Sequence, residues 1–180
     1  FNLLTDIAVS GDGSFYVSDG YYNRRVVKFS KDGTYLFEWG KHGNKRGEFI
    51  VPHGIDLDNL GNVYVADREN NRIQKFDAEG NFITDWNNSE TEMSLSVVVD
   101  NKNDYFFEID LMIENDTILK GLDIFRFELN TNPQMQFGRT GFYGNSTSIY
   151  HNIIIDDEGN IYVADGSDNT IKKFRLKKSE

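Results

Sequence analysis

The chain has 180 residues, 38% hydrophobic and 14% aromatic, with a formal net charge of −10. That balance argues against a phosphate-backbone partner, because affinity for nucleic acid rests on clustered Lys and Arg; Lys172, Lys173, Arg175, Lys177 and Lys178 read as a solvated tail. The absence of cysteine removes disulfides and thiolate metal sites from these residues and leaves the compartment open, and no apolar run approaches the roughly 20 residues that cross a bilayer as a helix. No signal peptide is visible; the sequence opens at Phe1, inside a repeat, so a targeting segment could precede it.

In chain order, residues 3–40 read as four strands. Thr5–Val9 leads through the turn Gly11-Asp12-Gly13 to Phe15–Asp19, then Arg25–Phe29 and Thr34–Trp39. A charged, Gly-rich loop, Lys41 to Gly47, carries His42 toward solvent. Residues 49–87 repeat the pattern: His53–Leu57, a turn at Asn59 to Asn62, Val63–Ala66, a polar turn at Asp67 to Asn71, Arg72–Phe76 and Asn81–Trp86. Residues 94–138 follow it loosely, with strands at Leu95–Asp100, Tyr105–Ile109, Leu122–Phe127 and Met135–Gly138 and an unusual insertion between Asp110 and Gly121. Residues 148–176 return to type with His151–Ile155, Gly159–Asp165 and Asn169–Phe174, but no fourth strand follows.

The period can be counted. Asp19 and Asp67 lie 48 residues apart, and Asp67 and Asp165 lie 98 apart, two repeats of 49. Four-stranded units repeating every 40 to 50 residues predict an all-β fold, a β-propeller of antiparallel blades. β-branched alternation excludes a helical solenoid, while a stack of hairpins that does not close stays open as an alternative. The chain is expected to supply about four blades of a six-bladed ring, with two blades upstream of Phe1.

In an up-and-down blade the start of the first strand and the end of the second lie at the same end, and the first strand lines the channel. His53 and His151, each opening a first strand, are therefore expected near the axis on one face, with Tyr21 and Arg68, each just past a second strand, beside them. The histidines are 98 residues apart, so alternate blades could present imidazoles to one ion, and a three-His set with an open position is the ligand type of catalytic zinc. The same histidines could instead fill the channel mouth without a metal. Tyr21 could be only a turn aromatic and Arg68 only a surface charge. Asp19, Asp67 and Asp165 recur at the end of each second strand, which favours a structural role in the following turn.

Gly61-Asn62-Val63-Tyr64-Val65-Ala66-Asp67 followed by Asn71-Arg72-Ile73-Gln74-Lys75-Phe76 resembles the NHL repeat. Tyr16-Val17-Ser18-Asp19-Gly20-Tyr21 with Asn23, Val51-Pro52-His53, and Val65-Ala66-Asp67-Arg68-Glu69-Asn70 together resemble the peptidyl-α-hydroxyglycine α-amidating lyase family, with gaps, over nearly the whole chain. The resemblance implies a propeller domain or fragment that cleaves a peptide ending in α-hydroxyglycine to a peptide amide and glyoxylate, in a secreted or extracytoplasmic setting. It implies zinc held by His53, by His151 and by a third histidine before Phe1. It places Tyr21 on the catalytic tyrosine and Arg68 on an active-site arginine, with a second arginine also upstream. On that reading the 180 residues alone are expected to lack activity.

Departures from the family pattern are expected to matter. Asn152 stands where the family has a calcium-binding aspartate, a weaker ligand that puts Ca2+ in doubt. Ile149-Tyr150 replaces Met-Pro, and Tyr22, Tyr64 and Lys75 stand at positions of vertebrate-type cysteines. The competing reading is a non-catalytic NHL scaffold that binds protein or peptide on its channel face. An RNA-reading NHL domain is disfavoured by the acidic balance, and a calcium-dependent lactonase would need acidic and amide ligands where histidines stand. Asn-X-Ser/Thr sequons at Asn87, Asn115 and Asn145 are weak support for secretion.

Overall fold

A computed structural model describes residues 1–87, 93–114, 117–128, 135–137, 150–167 and 169–175, with only the backbone of 111–122 and 136. Four antiparallel sheets follow one another along the chain, each with its strands in sequence order. The first holds β1 (Asp6–Val9), β2 (Phe15–Asp19), β3 (Arg25–Phe29) and β4 (Tyr35–Trp39). The second holds β5 (Pro52–Leu57), β6 (Val63–Asp67), β7 (Arg72–Phe76) and β8 (Phe82–Asn87). The third holds β9 (Met93–Asp100), β10 (Tyr105–Glu114), β11 (Thr117–Glu128) and β12 (Met135–Phe137). The fourth has three strands among the described residues, β13 (Tyr150–Ile155), β14 (Asn160–Asp165) and β15 (Thr170–Arg175). These are the blades the repeat predicts.

The third blade departs from expectation between Asp110 and Gly121. No insertion loops out: β10 and β11 continue pairing to Glu114 opposite Thr117, with register shifts between Asp110 and Ile113. Leu111-Met112-Ile113 offers no turn residue, so the ladder that satisfies backbone N–H and C=O groups simply continues. Sequons Asn115 and Asn145 lie outside the described residues.

The first strands of successive blades are neighbours: β1 packs on β5, β5 on β9 and β9 on β13. Two glycines permit this. A Cβ on Gly54 would come 2.8 Å from the Ser96 Cα, and one on Gly20 would come 2.2 Å from the Pro52 carbonyl oxygen. Polar side chains then stitch blade to blade. Thr5 Oγ1 donates to the Pro52 carbonyl at 2.7 Å, Asp6 Oδ2 accepts the Ile55 N–H at 3.1 Å, and Asp56 Oδ2 accepts the Val99 N–H at 2.8 Å.

The cores lie between blades. Ala8, Tyr16 and Val26 meet Ile55, Val63 and Phe76. Tyr64, Ala66 and Ile73 meet Val97, Phe106 and Phe127, whose rings stack at 4.8 Å. Phe107, Ile109 and Ile124 meet Ile153, Ile161 and Val163. Each fully buried side chain of this kind contributes about 1.5–3 kcal/mol, so packing between neighbouring blades contributes several such terms.

A buried aspartate closes the second strand of the first, second and fourth blades, while in the third Asp110 lies within β10. Asp67 accepts hydrogen bonds from the Ile50 N–H at 3.0 Å, Asn70 Nδ2 at 2.7 Å, Arg72 Nε at 3.0 Å and Gln74 Nε2 at 3.2 Å. Asp19 likewise takes the Asn2 N–H, Asn23 Nδ2 and Arg25 Nε, and Asp165 takes Ser167 and Lys172. In the first two blades the backbone donor comes from the segment leading into the first strand, not from the following turn as the sequence suggests. In the third blade the register partner of Asp110 is Asp123, where Asp19 and Asp67 face Arg25 and Arg72. Glu108 is buried next to Asp110, and burial first, then that neighbouring carboxylate, push its carboxyl well above the usual range.

Asp67→Ala removes the acceptor for a buried guanidinium and should cost about 3–5 kcal/mol, read as a lower urea midpoint. Asp56 gives a pH signature. Burial pushes it up to about 6, against the Val99 N–H that favours its charged form. A raised carboxyl stabilises the fold fully below the ordinary 3.8 and loses that contribution as pH rises through about 6. Asp56→Asn keeps an acceptor for Val99 and should be the more stable chain at pH 7 but not at pH 4, compared by urea unfolding at each pH.

Candidate functional site

His53, Tyr21, Arg68 and His151 converge at one end of the row of first strands. His53 is the second residue of β5 and is 4% exposed. Its Nδ1 lies 2.8 Å from the Leu95 carbonyl on β9. A carbonyl only accepts, so Nδ1 carries the proton and Nε2 keeps its lone pair. That lone pair faces the Tyr21 hydroxyl at 3.4 Å. The imidazoles of His53 and His151 meet edge to face with centroids 5.2 Å apart, although they come from blades two apart.

The segment after each second-strand aspartate positions the remaining groups. After Asp19, Gly20 runs against the Pro52 carbonyl and places the Tyr21 ring edge-on to His53, centroids 5.9 Å apart. After Asp67 the chain makes a 3₁₀ turn over Arg68–Asn70, ended by Asn71 in the left-handed conformation at φ 49°. The Arg68 N–H donates to the Val51 carbonyl at 2.9 Å. Arg68 Nη1 donates to the Tyr21 hydroxyl at 3.4 Å, and its guanidinium carbon lies 5.4 Å from the Tyr21 ring centre. The opposite edge of the guanidinium is taken by Glu69: Nε and Nη2 both donate to Oε1, at 3.0 and 2.8 Å.

Burial moves the His53 imidazole down to about 4, with the charges of Arg68 and His151 acting the same way and the Leu95 carbonyl opposing. The ring is therefore neutral at neutral pH, the form that ligates metals. Asp6, across the axis on β1, is close enough to His151 to interact with its charge; burial raises the Asp6 carboxyl against the Ile55 and Ile7 N–H groups. Among the described residues no three His, Cys, Asp or Glu side chains form a metal-holding group. The two imidazoles are a donor pair that suits zinc and needs further ligands. Asn152, beside His151, accepts through one oxygen from Ser96 Oγ at 3.1 Å and from the Ile153 N–H at 2.7 Å. His42 is exposed in its loop, bridged to Phe49.

Leu95 and Glu69 are the site residues that the sequence does not disclose. Leu95 acts through its carbonyl, which leaves no trace in residue type. Glu69 stands in the string Asp67-Arg68-Glu69-Asn70, where the only signal is the charge next to Arg68.

Residues 49–76 match the NHL repeat. The chain also resembles the amidating enzymes. It is 29% identical over 199 residues to the peptidyl-glycine alpha-amidating monooxygenase of Mus musculus, across 97% of this chain and 18% of that protein. It is 42% identical over 77 residues to a probable peptidyl-alpha-hydroxyglycine alpha-amidating lyase of Caenorhabditis elegans, across 41% of this chain and 22% of that protein. The chain thus spans less than a quarter of either relative. Among solved structures, a chain of the nidogen/laminin complex superposes with a TM-score of 0.73 over 96% of this chain and 60% of its own length, at 14% identity, which supports the propeller fold alone.

The burial of His53 can be checked directly. Its folded value lies below the unfolded 6.5, so the folded state binds fewer protons and loses stability as pH falls from 6.5 toward 4. The His53 ring resonances should titrate near pH 4, with urea stability declining over the same interval. A midpoint at 6.5 would show the ring is not held in the buried contact with Leu95.

Proposed function

We propose that this chain is the substrate-facing part of a zinc-dependent lyase-type propeller that splits peptides ending in α-hydroxyglycine into a peptide amide and glyoxylate. The observation that supports the reading most is the meeting of His53 and His151 beside Tyr21 and Arg68, four residues drawn from three blades. Relatives named for peptidyl-α-hydroxyglycine amidation supply the substrate class. His53, through Nε2, and His151 would hold the zinc. When bound, the ion acts as a Lewis acid that makes a coordinated hydroxyl more acidic.

The chain's own groups would do the rest. The Leu95 carbonyl fixes the His53 tautomer so that Nε2 is presented inward. Tyr21, as a phenolate, would take the proton of the substrate's α-hydroxyl at Oη. Arg68 Nη1–H, aimed at that oxygen, would stabilise its negative charge. The hydroxyl oxygen then forms the carbonyl of glyoxylate, the carbon–nitrogen bond breaks, and the departing amide nitrogen takes up a proton. Taken alone, residues 1–180 would not turn over substrate, because the family resemblance requires a third histidine and a second arginine, and the other histidine here, His42, sits in an exposed loop.

The alternative, a scaffold that binds peptide on the same face without chemistry, is favoured by the departure of the third blade, where Asp123 stands where an arginine stands in the first two. Metal content separates the two readings. A protein that joins these residues to the third histidine and second arginine the resemblance calls for should bind one zinc per chain and release glyoxylate from an α-hydroxyglycine peptide. His53→Ala should lower turnover by at least about a hundred-fold and lower zinc occupancy. Undiminished turnover in that variant would overturn the lyase reading, and a metal-free wild type would favour the scaffold.

A further inference from the structure

We propose that Glu69 is a positioning residue: it grips the Arg68 guanidinium along its Nε/Nη2 edge, turns Nη1 to the Tyr21 hydroxyl and closes the side-on fork to a ligand carboxylate. Adjacent side chains on a helical turn do not face each other, so this contact is not a by-product of sequence adjacency. Here the two side chains nonetheless pair on the 3₁₀ turn that follows Asp67 and ends at Asn71. Two donors, Nε and Nη2, converge on one oxygen, Glu69 Oε1, at 3.0 and 2.8 Å. The Nε/Nη2 edge is one a carboxylate ligand could seize as a forked, charge-assisted pair. With it filled, Arg68 meets Tyr21 through Nη1.

The pairing also has an electrostatic consequence. A lone guanidinium beside His53 and His151 would repel any cation held there. Glu69 cancels that charge at a distance of 2.8 Å while leaving the Nη1–H donor in place. The geometry stands on its own, and its catalytic consequence rests on the lyase reading above.

Two readouts test the assignment. The first needs no activity. In 15N-arginine-labelled chain, the Arg68 Nε–H signal, identified by its loss in Arg68→Lys, should be protected from solvent exchange. Glu69→Ala should speed that exchange about ten-fold or more, and Glu69→Gln, which retains an acceptor oxygen, should restore part of the protection. The second readout is turnover of an α-hydroxyglycine peptide by the protein that carries the full ligand set described above. Glu69→Ala should lower kcat about ten-fold, as expected when a catalytic contact is misplaced, and lower KM as the fork opens to the substrate carboxylate; Glu69→Gln should lie between. Unchanged Arg68 exchange in Glu69→Ala would overturn the proposal, as would a raised KM with kcat intact. If wild type shows no turnover, the lyase reading falls, and the exchange measurement alone then decides the role of Glu69. Should Glu69→Ala fail to fold, partly reduced Arg68 protection in folded Glu69→Gln supports the grip, and protection as full as in wild type overturns it.

Discussion

The buried carboxylate that ends the second strand of the first, second and fourth blades is the interaction on which this architecture rests. Asp67 gathers a backbone N–H from the segment entering its blade, an asparagine from the turn, and an arginine and a glutamine from the next strand. One side chain thereby fixes the strand end, the turn and the approach to β5. The cost of burying a charge is offset by the donors from Ile50, Asn70, Arg72 and Gln74. Burial still raises the Asp67 carboxyl above its ordinary value even with Arg72 beside it, so the site is balanced and not simply favourable.

The candidate site is a direct consequence of that anchoring. Tyr21 and Arg68 sit one or two residues beyond Asp19 and Asp67, so their backbones inherit the rigidity of the carboxylate clusters. His53 is set from the other side, by Gly54 pressing against β9 and by the Leu95 carbonyl. The site is therefore assembled between blades and belongs to no one of them. Ring packing and site geometry are the same problem, and loosening one blade would displace groups contributed by its neighbours.

Much of this was legible from residue types. The spacing of Asp19, Asp67 and Asp165, the turns at Gly13 and Gly61, and the alternation in β7 and β14 are local signals, and the strands follow them. The expectation that His53 and His151 approach each other rested on topology, since each stands at the start of a first strand, and their rings do meet. The third blade was harder. Its second and third strands lack a turn signal between Asp110 and Glu114, so continued pairing reads in the sequence as an insertion. The donors to Asp19 and Asp67 were misplaced because they come from segments 17 residues away, through backbone groups that carry no residue signature. The Glu69 grip on Arg68 was invisible for a similar reason, since it depends on a single turn of 3₁₀ geometry.

Tyr64 and Lys75 show what a covalent position becomes when its chemistry is exchanged. They are register partners on β6 and β7, and Lys75 Nζ donates to the Tyr64 hydroxyl at 2.8 Å while lying 4.8 Å from its ring centre and 3.0 Å from Asp58 Oδ2. On the family resemblance, both positions match cysteines of vertebrate-type members. A phenol and an ammonium need no oxidant to join and no reductant to part. The Tyr64–Lys75 contact therefore forms without any thiol–disulfide step.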